Sequence, residues 1–291
     1  MTDGFLLSVA AAVVLGSYLV GVKQYFSHYP PALFVSLTYV AAVVWYLPVA
    51  VLTVPADQLV PTVGTRGAAV LLGTAGFTAL ALFAFYRALS IGDVSYVAPI
   101  SKIVPVFVLP LEVLLLGQRL SALQVGGVVV ATVAVYVANY RQGSVLAPLG
   151  QLVRSRAALL ALASAAAFGV VDVGKRVSMQ ALDITPEGFV LTMLVLVAAL
   201  LSPSAVTHRD AVDWRADRRL LALAGLVLVI GQHLVAVAFE TLPASVVSPV
   251  VNTQAVVAVF LGSLLLGESH VRIRMAAAGL AVFGVVLISL G

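Results

Sequence analysis

The 291-residue chain contains no cysteine, so it has neither a disulfide framework nor a thiolate metal site. Charge is the second shortage. Only 10% of its residues are Asp, Glu, Lys or Arg, against 62% hydrophobic, and the mean hydropathy is +1.13. A soluble domain is about a quarter charged, so this composition cannot build a water-facing surface. Catalytic signatures are missing as well. No H-E-x-x-H, G-x-S-x-G or Walker loop occurs, which argues against a membrane enzyme, removes ATP as a direct energy source and leaves no cofactor to expect. The net charge of +4 is spread over loops and points to no nucleic-acid partner. The start, "MTDGFLL", has no basic n-region, so the first apolar run reads as a retained span.

What is present is a series of long apolar runs. They are continuous, not alternating, so helices rather than strands satisfy the backbone in lipid. Ten spans are expected at 4–22, 31–54, 67–87, 95–116, 121–139, 157–177, 186–205, 218–239, 244–266 and 273–290. The fold class is therefore an all-α integral membrane protein. Lys and Arg number 11 in the odd-numbered loops and 4 in the even-numbered ones, with Lys102 inside a span. By the positive-inside rule both termini face away from the cytoplasm in the cell membrane.

Shifting the chain by 150 residues lays Ala88–Gly117 over Ala238–Gly267 with 10 of 30 positions identical, among them Ser95/Ser245, Pro99/Pro249 and a closing Leu-Leu-Leu-Gly. A shift of 153 pairs Gly16 with Gly169 and Gly21 with Gly174. The chain thus divides into a five-span repeat at 1–140, a linker at 141–156 and a second repeat at 157–291. An odd number of spans per repeat makes the second enter from the opposite side. That inverted arrangement belongs to secondary transporters, whose site lies at mid-membrane between the halves.

These residues also resemble the EamA-type ten-span carriers of the drug/metabolite transporter superfamily. The resemblance rests on Gly16-Ser17 with Lys23, on Gly169 with Arg176, and on Leu116-Gly117-Gln118-Arg119-Leu120 with Leu266-Gly267-Glu268-Ser269. Gln118 and Ser269 depart from the family's Glu and Arg. The resemblance implies a cavity enclosed by the first, third and fourth spans and their mates.

Ionisable groups inside a membrane are costly and become functional hypotheses. Lys102 is expected to bind an anionic group of a solute. Its mate Asn252, with Gln254, Gln232, Tyr86 and Tyr96, is expected to line the same pocket. Pro99 and Pro249, three residues before Lys102 and Asn252, are expected to loosen their helices there by removing backbone donors. Asp172 is either the partner of Lys102 or a protonatable coupling group, with Lys175 on the same helical face. His233 is the other candidate for proton coupling. Glu112 carries less weight. Small residues at Gly126–Gly127 and Ala276–Ala278 offer a surface where the halves, or the protomers of a homodimer, meet. The reading is a secondary carrier exporting or exchanging an amino acid or organic anion. The alternative is a cation channel or divalent-cation transporter, which would want carboxylate rings.

Overall fold

The computed structural model describes residues 2–116, 121–138, 155–242, 244–267 and 271–290. Residues 141–154 of the linker, and residues 117–120 and 268–270 of the repeated motif, lie outside these. The helices are α1 (Thr2–Phe26), α2 (Pro31–Thr53), the short α3 (Ala56–Leu59), α4 (Thr65–Ile91), α5 (Val94–Ser101), α6 (Val104–Leu116), α7 (Ala122–Ala138), α8 (Arg156–Arg176), α9 (Pro186–Thr207), α10 (Arg218–Thr241), α11 (Ala244–Asn252), α12 (Gln254–Leu266) and α13 (Val271–Leu290). No strand occurs among the described residues.

Local chemistry sets several of these limits. Pro31 and Pro186 open α2 and α9, where a missing N–H costs nothing. Ser155 and Thr185 accept from Ala158 N at 3.3 Å and Gly188 N at 3.2 Å, capping α8 and α9. Gly267 ends α12 with φ +63°, a left-handed cap that suits glycine. Lys23 Nζ donates to the carbonyls of Leu89 at 2.7 Å and Gly92 at 2.8 Å, so the cation of the Gly-x₆-Lys pattern closes the C-terminus of α4. Lys23→Met is expected to cost about 1–3 kcal/mol, the worth of hydrogen bonds to a charged group, read as a lower unfolding temperature in detergent.

Six helices, α1, α2, α4, α8 with its following turn, α9 and α10, are long and apolar enough to cross a membrane. Their outward faces carry apolar side chains, with Val44 67% and Leu52 86% exposed, as lipid contact requires. The segment at 95–116, expected as one span, is two helices. Lys102 ends α5 (φ −101°, ψ 11°), and α6 restarts at Val104 with Pro105 in its first turn. The corresponding segment breaks at Thr253, between α11 and α12. Pro99 and Pro249 lie within α5 and α11, so each interruption falls beyond its proline. In the first half Pro105, which lacks an N–H and suits a helix start, helps mark the restart.

Packing follows a repeating pattern. The first helix of each half lies on the third of the other: α1 on α10, α8 on α4. It also lies on the second piece of the other half's broken helix: α1 on α12, α8 on α6. The second helices, α2 and α9, pair with each other, and so do the last, α7 and α13. Gly16 and Gly169 sit at equivalent crossings. A Cβ on Gly16 would meet Val257 Cβ at 2.7 Å and the Gln254 carbonyl at 2.8 Å, and one on Gly169 would meet Phe107 Cβ at 2.8 Å.

Contacts between helix ends segregate into two sets. Lys23 reaches Gly92, Tyr29 donates to Asp217 at 2.7 Å, and Arg274 donates to Asp93 at 2.8 Å. At the other ends, Gln180 donates to the Phe239 carbonyl at 3.5 Å, Gly188 abuts Gln58, and Gly4 abuts Thr241 and Leu242.

Candidate functional site

Lys102 reaches the cavity because the backbone stops being helical there. Its N–H still bonds the Ala98 carbonyl at 3.1 Å, while the side chain leaves the end of α5 and runs between two rings. Nζ lies 5.1 Å from the centre of Phe85 on α4 and 5.2 Å from that of Phe168 on α8. Among the described residues no carboxylate comes within ion-pair distance of it. Two desolvated cation–π contacts at about 2 kcal/mol each are comparable with the roughly 2.5–3.5 kcal/mol insertion cost of a central lysine. Among the described residues the ammonium is thus held by the two rings with no carboxylate in direct contact.

Asp172 does not pair with Lys102. One oxygen meets Lys175 Nζ at 3.3 Å, one turn along α8, and the other accepts from Ser248 Oγ of α11 at 2.8 Å. Asn252 Nδ2 donates to the Ser248 carbonyl at 2.7 Å and to its hydroxyl at 3.2 Å. Lys175 also lies over the Phe239 ring at 5.5 Å. Helical spacing puts Lys175 within reach of Asp172, and that short-range pairing wins over the cross-helix one. Ser248, one turn before Asn252, was not singled out in the sequence. The i, i+4 spacing to Asn252 in an apolar segment is the signal that could have found it.

These groups share a cavity of about 90 Å³ whose walls come from both halves: Lys102, Tyr18 and Tyr86 from the first, and Asp172, Gln232, Asn252 and Gln254 from the second. An adjoining cavity of about 50 Å³ shares Lys175, Phe168 and Gln232 and extends to Met179 and Phe189, near the ends of α8 and α9 that meet. Toward the opposite ends the cavity borders a cluster of aromatic rings. Tyr86 OH reaches Tyr18 OH at 3.5 Å, and Phe34 stands edge-on to Tyr86 and tilted against Phe26, with centroids 5.0 Å apart in both pairs.

Two expected residues lie elsewhere. His233 Nδ1 bonds the hydroxyl of Tyr46 on α2 at 2.8 Å, and it lines neither cavity. Its neighbour Gln232 faces the cavity, and adjacent helical residues point about 100° apart. Tyr96 is half-buried on α5 and packs against the core without lining either cavity. The side chains of Pro99, Pro249 and Glu112 lie outside what the structure describes. No group of three or more His, Cys, Asp or Glu residues that could hold a metal occurs among the described residues.

A helical chain with several apolar spans and a polar cavity walled by both halves is a multi-pass membrane protein that handles a small solute. Residues 2–140 and 155–290 each match the EamA-like transporter family, and the chain belongs to it. A solved structure described only as "Crystal structure of protein" is similar in fold. Its TM-score is 0.71 at 16% identity, covering 100% of this chain and 97% of that one. No curated protein matches. The family is one of transporters rather than enzymes, and it does not favour the channel alternative.

Proposed function

We propose that this protein is a secondary carrier that exports or exchanges a small polar metabolite bearing an anionic group, an amino acid or organic acid, across the cell membrane. The observation that carries the reading is Lys102: buried at a helix break, between two rings, with no carboxylate at ion-pair distance among the described residues, and facing a cavity that both halves enclose. Counting Lys102, Lys175 and Asp172, the cavity carries a net +1, which favours an anion over a cation. The direct test is a solute screen by thermal shift, since a ligand that binds the folded state raises its apparent stability. Amino acids and organic acids are expected to stabilise the protein and matched neutral analogues to leave it unchanged. Stabilisation by cations alone would remove the reading.

Ten spans in two inverted halves accommodate the packing. The exchange of partners between α1/α8 and α4/α10, and the sorting of helix-end contacts into two sets, are what two antiparallel five-helix units produce. In this reading the cavity opens toward the ends where α8 and α9 meet, and the Tyr18, Phe34 and Tyr86 rings form the closed gate. Transport then requires the halves to rock so that the rings part and the opposite mouth seals. Charge counting puts the gate on the cytoplasmic side.

Asp172 is the candidate for proton coupling, because protonation would break its ion pair with Lys175 and weaken the hydrogen bond it accepts from Ser248, loosening α8 from α11. Asp172→Asn is expected to flatten the pH dependence of solute uptake in proteoliposomes while leaving the folded protein intact. A profile that keeps the wild-type shape would make Asp172 a packing residue.

A further inference from the structure

A second cavity, apart from the central one, lies at the surface of the described residues. A groove of about 640 Å³ lies between α2, α9 and the loop that joins α9 to α10. Its walls are apolar, from Leu33, Leu37 and Val40 on one side and Ala205 and Val206 on the other. Val40 is 55% and Val206 60% exposed, so the groove opens outward through the belt of apolar side chains that faces lipid. Its roof is of a different kind: Arg209, Trp214 and Arg215, with Asp210 beside them. Arg209 Nε touches Asp210 Oδ2 at 3.5 Å, and the Arg215 guanidinium stacks on Trp214 at 5.1 Å. One acid against two arginines leaves the roof with a net positive charge.

The groove combines apolar walls that open outward at Val40 and Val206 with a tryptophan and two arginines above them. Basic pockets between transmembrane helices take acidic lipid headgroups, and tryptophan marks the headgroup level.

We infer that this groove is a binding site for an anionic phospholipid. The acyl chains lie along Leu33, Leu37, Val40 and Val206, and the phosphate engages Arg209 and Arg215. The site is separate from the central cavity and stands on the membrane assignment alone, whatever the solute.

Trp214 makes the site directly readable, because the chain has only two tryptophans, Trp45 and Trp214. In the Trp45→Phe protein, fluorescence reports on Trp214 alone. Reconstituted with phospholipids brominated in the acyl chain near the headgroup, this protein is expected to be quenched by phosphatidylglycerol at lower mole fractions than by phosphatidylcholine. In the same background, R209Q/R215Q is expected to weaken the apparent phosphatidylglycerol affinity about thirtyfold, following the surface value of each arginine against anionic lipid. These arginines are exposed, so the folded protein should survive their replacement. Equal quenching by the two lipids, or a preference that persists in R209Q/R215Q, would overturn the proposal. So would displacement of brominated phosphatidylglycerol by inorganic phosphate at matched concentration, which would make this a free-phosphate site.

Discussion

Replacing Lys102 by alanine is expected to reduce uptake of the anionic solute in proteoliposomes by about 10–100-fold, the loss of one charge-assisted contact at about 1.5–3 kcal/mol. Stability should move the other way. Among the described residues the ammonium rests on the Phe85 and Phe168 rings with no carboxylate at ion-pair distance, so removing it breaks no direct ion pair. Breaking a buried ion pair is strongly destabilising because it leaves an uncompensated charge; here the cavity's carboxylate, Asp172, keeps its own partner, Lys175. Lys102→Met, which keeps the chain's volume between the rings, should therefore unfold at or above the wild-type temperature while transporting poorly. That pairing of lost transport with retained stability separates a binding lysine from a packing one. Wild-type kinetics in Lys102→Met would take the lysine out of the site, and a large fall in unfolding temperature would show that it braces α4, α5 and α8. Lys102→Arg keeps the charge but not the compact ammonium, and is expected to raise the apparent Km more than it lowers the maximal rate.

Much of this could be read along the chain because it depends on short-range spacing. Apolar run lengths gave the long helices, the i, i+3 spacing gave Asp172 with Lys175, and the coincidence of Lys102 and Asn252 under a 150-residue shift marked the two irregular points. What could not be read depends on contacts between distant segments. Phe85 and Phe168 flank Lys102 from different halves of the chain, and nothing in an apolar run distinguishes a phenylalanine that faces a lysine from one that faces lipid. Lys23 was recognised only as part of a pattern, since the carbonyls it caps lie 66 and 69 residues away. The resemblance to EamA carriers supplied which spans surround the cavity, a point that composition and periodicity do not contain. His233 is a further case: neighbours on one helix can both line a cavity, as Val235 and Ala236 do, so only the contact with Tyr46, 187 residues away, sets its ring apart.

The glycines of the repeat separate what symmetry implies from what packing requires. Under a shift of 153 residues Gly16 pairs with Gly169 and Gly21 with Gly174, so the sequence treats the four as two equivalent couples. The structure does not. Added methyl groups at Gly16 and Gly169 would meet Val257 and Phe107 across the crossings that join the halves, at 2.7 and 2.8 Å, and at Gly16 a second neighbour is the backbone carbonyl of Gln254. Backbone cannot swing aside as a side-chain tip can, so the helices must separate. Gly174 faces the Thr74 hydroxyl at close quarters, whereas Gly21 has nothing within 4 Å. Gly16→Ala and Gly169→Ala are each expected to destabilise the protein by about 1–3 kcal/mol, the cost of overpacking a tight contact. Gly21→Ala should be neutral or slightly stabilising, because alanine is the better helix former by about 1 kcal/mol. Unfolding temperatures of the three variants in one detergent decide the matter. Since Gln254 lines the cavity and Gly16 rests on its carbonyl, Gly16→Ala should also impair transport, while Gly21→Ala should transport as the wild type does. If Gly16→Ala and Gly21→Ala proved equally harmless, α1 could not lie on α12 as closely as described, and the cavity wall that Gln254 contributes would have to be placed elsewhere.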